Sequence, residues 1–179
     1  MGQVMFVHTE ADLIQAARGG DGSAFAELVR PHYQAAFRVA YGMLHDADEA
    51  EDVVQEAAFK AWRRLGNIRD GSSLKPWFLA IVANQCRSVS TSRWWSVLKV
   101  EPPESQGRQL DVAAAVDLRR ALRRLGHDER LVVVLRYYLD MPFEEIAATL
   151  GISTKAARTR VERAVRRLRP IVQTQGAAI

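Results

Sequence analysis

The side chains best able to do chemistry lie in one short stretch near the end of the chain. Ser153, Lys155, Arg158, Thr159, Arg160, Arg163 and Arg166 fall within fourteen residues. Guanidinium groups at this density suit a polyanion, and an arginine fork can pair with both acceptors on a guanine edge while a threonine hydroxyl meets either base type. Such a helix is useful only when another element presents it. Glu144, Glu145, Ile146, Ala147 and Leu150 before it, with Gly151 as a stop and Ser153 as a cap, predict a helix-turn-helix whose second helix carries the arginines into the major groove. The competing reading is a surface helix with ordinary solvated arginines.

Two further sets stand in the first half. Asp52, Gln55, Glu56 and Arg63 lie opposite the apolar stripe Ala50, Val53, Val54, Ala57, Ala61 and Leu65, which makes them one outward strip for a partner protein. Read minimally, those acids only favour the helix N-terminus. A hard-cation site is the other alternative, but the segment lacks the glycine and regular ligand spacing of a calcium loop. After Pro76, the residues Trp77, Asn84 and Arg87 recur on one helical face. They supply a stacking platform, a polar group for a splayed base and a cation for phosphate. A tryptophan at a helix start is equally at home in a core. Cys86 reads as a small core residue, and His32 and His45 belong to no catalytic triad, phosphate loop or zinc motif.

Composition sets the limits within which these sets operate. The 179 residues, 48% of them hydrophobic, can bury one medium core or two small ones. A net charge of +4 is weak evidence for a nucleic-acid partner, and its distribution says more. Acids mass between Asp46 and Glu56, whereas the helix after Ser153 is almost purely basic. The lone cysteine excludes an intrachain disulfide. Nothing at the N-terminus has the charged and apolar regions of a signal peptide, and no apolar run approaches the length that spans a bilayer, Leu131 to Leu135 being far too short, so the expectation is a cytoplasmic chain without membrane insertion.

The elements that must position these residues are all helices. Thr9 caps a short one ending at Gly19-Gly20. Phe25, Leu28, Val29, Ala36, Val39 and Met43 mark a second, which Pro31 should kink or divide. The acidic helix runs from Ala50 to Leu65, a polar loop covers 66–73, and a fourth helix runs from near Pro76 to Trp94-Trp95. Pro102-Pro103 and the polar residues around them break every period. Helices over 112–125 and 128–139 precede the helix-turn-helix. The fold class expected is therefore all-α, two small helical domains joined by a flexible linker, with domains at 1–98 and 112–179 and the linker at 99–111.

Three segments in order carry a resemblance. Ala50-Glu-Asp-Val-Val-Gln-Glu56, continuing to Ala61-Trp62, resembles the core-binding helix in region two of bacterial sigma factors. Leu74-Lys-Pro-Trp-Phe-Leu-Ala-Ile-Val-Ala-Asn84 resembles the promoter-melting segment of the small extracytoplasmic-function type. Glu144-Glu-Ile-Ala, Gly151-Ile-Ser and Arg158-Thr-Arg-Val-Glu-Arg-Ala164 resemble region four. The resemblance implies a sigma factor that is not itself an enzyme and needs no cofactor or metal. Its partners would be the polymerase core (β′ and β subunits), promoter DNA and an anti-sigma factor. Asp52, Gln55, Glu56 and Arg63 would dock on the β′ coiled coil. The loop 67–75, ending at Lys75, would cradle a flipped minus-ten base beside Trp77, Asn84 and Arg87. The arginine-rich helix would read the minus-thirty-five element. Two departures stand out: Ala57-Ala58 with Phe59 where the family often has Thr-Phe, and Lys155-Ala156-Ala157 where its recognition helix often opens Gly-Thr-Val. With only a short tail after Pro170, no added ligand-binding domain is expected. The rival from another class is a self-sufficient repressor with a ligand-binding or dimerising N-terminal domain; an enzyme built on the acidic cluster is the third.

Overall fold

A computed structural model describes residues 9–69, 71–96 and 121–176, the side chains of 91–96 and 170–176 excepted. Helices α1 (Glu10–Arg18), α2 (Gly22–Leu44), α3 (Ala47–Arg64) and α4 (Leu74–Ser96) form a first group, with a 3-10 turn at Leu65–Asn67. A second group holds α5 (His127–Val133), a π-helical turn at Val134–Tyr138, α6 (Phe143–Leu150) and α7 (Thr154–Gly176). No strand occurs among the described residues. The expected linker at 99–111 and most of the helix expected at 112–125 lie outside them.

Local chemistry starts these helices where the sequence says. Thr9 accepts from the Asp12 amide while Asp12 accepts from the Thr9 amide, a reciprocal capping box. Asp21 and Asp46 cap α2 and α3 through their carboxylates, and the Asp21 carboxyl is held below its usual range by the Ser23 hydroxyl and two amides. The N-terminus of α4 is served from a distance: Glu10 Oε1 accepts from the Leu74 amide at 2.6 Å. Helix α1 thereby fixes where α4 begins.

Pro31 does not divide α2, contrary to expectation. It removes one backbone donor, the one that would have reached the Glu27 carbonyl, and it does so on the exposed side. Leu28 and Val29 before it and Ala36 and Val39 after it are buried, so packing on both sides carries the helix through. The helix expected at 128–139 is also corrected. It is regular only to Val133, after which the Leu139 amide bonds the Val134 carbonyl five residues back. Leu131, Val132, Val134 and Leu135 are all buried, and the widened turn begins at Val134.

The first group packs α2 against α3 and α4 around Val39, Met43, Val54, Leu74, Phe78 and Val82. The second group packs α5 and α6 on α7 through Leu135, Ile146, Ala157, Val161 and Ala164. The two groups also touch. Helix α4 lies along α6, and α2 meets α5 and the π turn.

Candidate polymerase and DNA interfaces

Successive residues of an α-helix are turned by 100°, so burial on one side fixes what the other side offers. On α3 the buried residues are Ala50, Val53, Val54, Ala57 and Ala61. Directly opposite stand Asp52, Gln55, Glu56, Phe59 and Arg63, all exposed. The four residues expected on this strip are thus brought together. The fifth was not expected: Phe59 is 57% exposed at the centre of the strip, with the Arg63 guanidinium 5.8 Å from its ring centroid. Its displacement by one place from the family pattern was the signal that could have identified it. Lys60 ties this helix to α4 through Gln85 Oε1 at 2.5 Å.

On α4 the buried side is Leu74, Phe78, Leu79, Val82, Ala83 and Cys86. Burial pushes the Cys86 thiol up to about 12, so it stays protonated and unreactive. The opposite side presents Trp77, Asn84 and Arg87 together; Asn84 and Arg87 are exposed, and Trp77 is half-buried against the core. Lys75 sits in the first turn. Between α1 and the preceding loop lies a cavity of about 340 Å³, lined by Glu10, Ile14, Gln15, Arg69, Ser72 and Ser73 among others. Arg18 steadies the loop's start, its guanidinium donating to the Leu65 and Ile68 carbonyls.

The helix-turn-helix is built as its spacing predicts. Helix α6 ends in a Schellman motif, with the Ile152 amide on the Ala147 carbonyl at 3.0 Å, the Gly151 amide on Ala148, and Gly151 at φ +64°. The Ser153 hydroxyl then caps α7 through the Ala156 amide. Lys155, Thr159, Arg163 and Arg166 point away from the buried row Ala157, Val161, Ala164 and Leu168, with Arg158 and Arg160 on its flanks. Besides Ser153, two of these side chains are engaged within the protein. The Arg158 guanidinium lies 4.6 Å from the Phe143 ring centroid, and the Thr159 hydroxyl donates to the Lys155 carbonyl. Arg167 braces α7 to α5 by two bonds to Glu129, at 2.7 and 2.8 Å. No group of three potential metal ligands occurs among the described residues, and no described helix is long and apolar enough to cross a membrane.

Comparison with known proteins bears on both groups. Residues 28–96 match sigma-70 region 2, and residues 115–168 match sigma-70 region 4. The RNA polymerase sigma-E factor of Streptomyces antibioticus is 30% identical over 87% of this chain and 89% of its own length. The ECF RNA polymerase sigma factor SigM of Mycobacterium tuberculosis is 29% identical over 89% and 83%. Among solved structures, CnrH in complex with the cytosolic domain of CnrY superposes with a TM-score of 0.70 at 25% identity, covering 92% of this chain and 97% of that one. The sigma factor RpoE in complex with the anti-sigma factor NepR, from Bartonella quintana, gives 0.62 at 27% identity, covering 83% and 96%. The repressor alternative finds no support, because the part it would give to ligand binding or dimerisation matches region 2. The chain belongs to the sigma-70 family, in its extracytoplasmic-function group, whose members direct RNA polymerase to promoters for the initiation of transcription.

Proposed function

We propose that the three exposed faces divide the work of initiation among residues as follows. The α3 strip of Asp52, Gln55, Glu56 and Arg63 docks on the coiled coil of the polymerase β′ subunit, with Phe59 as its apolar anchor. Lys75, Trp77, Asn84 and Arg87, with the loop and cavity against α1, hold the unpaired minus-ten strand. Ser153, Lys155, Arg158, Thr159, Arg160, Arg163 and Arg166 meet the minus-thirty-five element, Arg158 at a base edge and Arg166 at phosphate. These assignments divide the chain functionally at 1–98, 99–111 and 112–179. The protein supplies binding and strand separation, leaves bond formation to the core, and works in the cytoplasm where that core resides. An anti-sigma factor is its regulator, as for the Bartonella neighbour.

The observation that carries this reading is the α3 strip: a charged face around one aromatic ring that is more than half exposed, with the Arg63 guanidinium beside it. Central aromatic anchors inside a polar surround are how protein interfaces concentrate affinity. Replacing Asp52 and Glu56 by Lys should weaken capture of core polymerase, since like charges set against each other cost several kcal/mol, roughly a hundredfold or more in affinity. Helix content should hold, because neither side chain supports the core. Undiminished holoenzyme in a pull-down would remove the assignment.

A further inference from the structure

One acid stands among the cations of α7. Glu162 is exposed on the outward side, one turn beyond Arg158 and one turn before Arg166, with Thr159 and Arg163 beside it. The spacing invites an ion pair with either arginine, and a glutamate four residues before an arginine is the favourable order. Neither pair is made: among the described residues Glu162 forms no ion pair. Arg158 is drawn to a ring instead. Its guanidinium lies 4.6 Å from the Phe143 centroid, and Arg136, which donates to the Met141 carbonyl at 2.9 Å, lies 5.1 Å from the same centroid. The ring thus keeps Arg158 from neutralising the carboxylate, and leaves a donor fork and a bare acceptor one turn apart on the face assigned to DNA.

A carboxylate in that place opposes DNA binding unless a donor meets it. Phosphates repel it, and entry into the groove strips its water. In the major groove only cytosine and adenine offer a donor, the N4 and N6 amino groups; guanine shows two acceptors, and thymine an acceptor and a methyl group. Adenine sets its N7 acceptor next to the amino group, against the second carboxylate oxygen, whereas cytosine has only a C–H there. We infer that Glu162 is a specificity-determining residue: its carboxylate accepts from the N4 amino group of a cytosine in the minus-thirty-five element, within two base pairs of the base met by Arg158. The inference rests on the reading of α7 as the helix that meets that element. Four helical residues advance about 6 Å, a little under two base-pair steps, which sets the register between the two contacts. The two differ in sign as well as in partner. An arginine gains from phosphate wherever it lands, but Glu162 penalises every site that lacks the amino group, so it adds discrimination while subtracting affinity.

The test is binding of holoenzyme, assembled from core polymerase and the full chain, to a promoter library randomised over the minus-thirty-five element. Wild type should prefer cytosine at one position by about tenfold or more. Glu162→Ala should lose that preference and bind the members without cytosine there several-fold more tightly, a pattern that loss of a merely helix-stabilising acid does not produce. Glu162→Gln should move the preference at the same position from cytosine to adenine, whose N6 and N7 a glutamine side chain meets in bidentate fashion. Both variants keep α7 intact, since Glu162 is exposed and alanine and glutamine are good helix formers. If Glu162→Ala tightened binding to every member by one factor, the carboxylate would only repel phosphate; that result overturns the inference and leaves α7 on the minus-thirty-five element. An unchanged profile in Glu162→Ala beside a changed one in Arg158→Ala has the same meaning. If neither variant altered affinity or preference, the reading of α7 would fall, and the inference with it.

Discussion

The α3 and α4 faces of the first helical group are alike in construction and opposite in circumstance. Each is the outward side of a helix whose inward side is fully buried, and each gathers charge around an aromatic residue. On α3 that residue is Phe59, exposed at the centre of its strip. On α4 it is Trp77, half-buried against the core, and the cations near it are paired with acids from the second group. A face meant for a protein can stand bare without attracting every polyanion in the cell. A cationic face meant for DNA cannot, since phosphate contacts supply sequence-independent affinity. The two faces accordingly differ in what meets them, an exposed ring at the centre of one and acids from the second group against the cations of the other.

The largest effect expected from this contrast is at Phe59. Phe59→Ala should cost about 2 kcal/mol or more in affinity for core polymerase, the range of a central aromatic anchor, with thermal stability almost unchanged because the ring is exposed. Asn84→Ala with Arg87→Ala should do the reverse, sparing core binding and reducing strand opening, read by permanganate reactivity of the promoter bubble. If both variants lost core binding equally, the two faces would be one interface and the contrast would fail.

How far the sequence carried this picture depends on the distance over which each feature is determined. Caps at Thr9 and Ser153, the stop at Gly151 and the stripe from Ala50 to Leu65 are set within one or two helical turns, and they stand where periodicity and cap chemistry place them. Pro31 was misleading because local backbone cost was outweighed by packing from Leu28 to Val39. The π turn escaped because a 3.6-residue period cannot signal its own interruption. Glu10 at the start of α4, Gly42 beneath Val134, and Lys75 opposite Glu145 join residues between 64 and 92 positions apart. No local pattern records such meetings. Phe59 is the intermediate case, visible as a departure from a motif but interpretable only once its exposure is known.

An effect of intermediate size is expected in the recognition helix, which sharpens the contrast from the DNA side. Arg158 stacks on Phe143 at the flank of α7, while Arg166 lies further along on the outward side. Arg158→Ala should cost about 1 to 3 kcal/mol and relax preference at one base position, whereas Arg166→Ala should weaken all promoters alike and flatten the salt dependence. Holoenzyme binding to a promoter library at several salt concentrations separates the two. Phe143→Leu should reproduce part of the Arg158→Ala phenotype, because the ring holds that guanidinium in place. Unchanged base preference in Arg158→Ala would remove its base-reading role.

The smallest effect expected is a pH dependence where α5 meets α4. His127 precedes Asp128 at the start of α5 and bonds the Ala83 backbone on α4. Burial holds its imidazole below the ordinary value near 6.5, the positive charges of Arg87 and Arg130 act in the same direction, and the Asp128 carboxylate and the Ala83 bond oppose them. The released side chain binds a proton more readily than the docked one. The contact between the two groups therefore keeps its full strength above about pH 6.5 and loses it as pH falls from there through the lowered value. His32 on α2 is held down by burial as well, with the Glu10 charge opposing that and the Lys75 charge adding to it, so it weakens the first group over the same range. The two separate by substitution. His127→Gln should flatten the pH dependence with which the two groups part, followed by the X-ray scattering radius, whereas His32→Gln should flatten only the pH dependence of thermal unfolding. A radius that grew equally on acidification in wild type and His127→Gln would show that the groups part for another reason, and would leave the contact between α5 and α4 independent of His127.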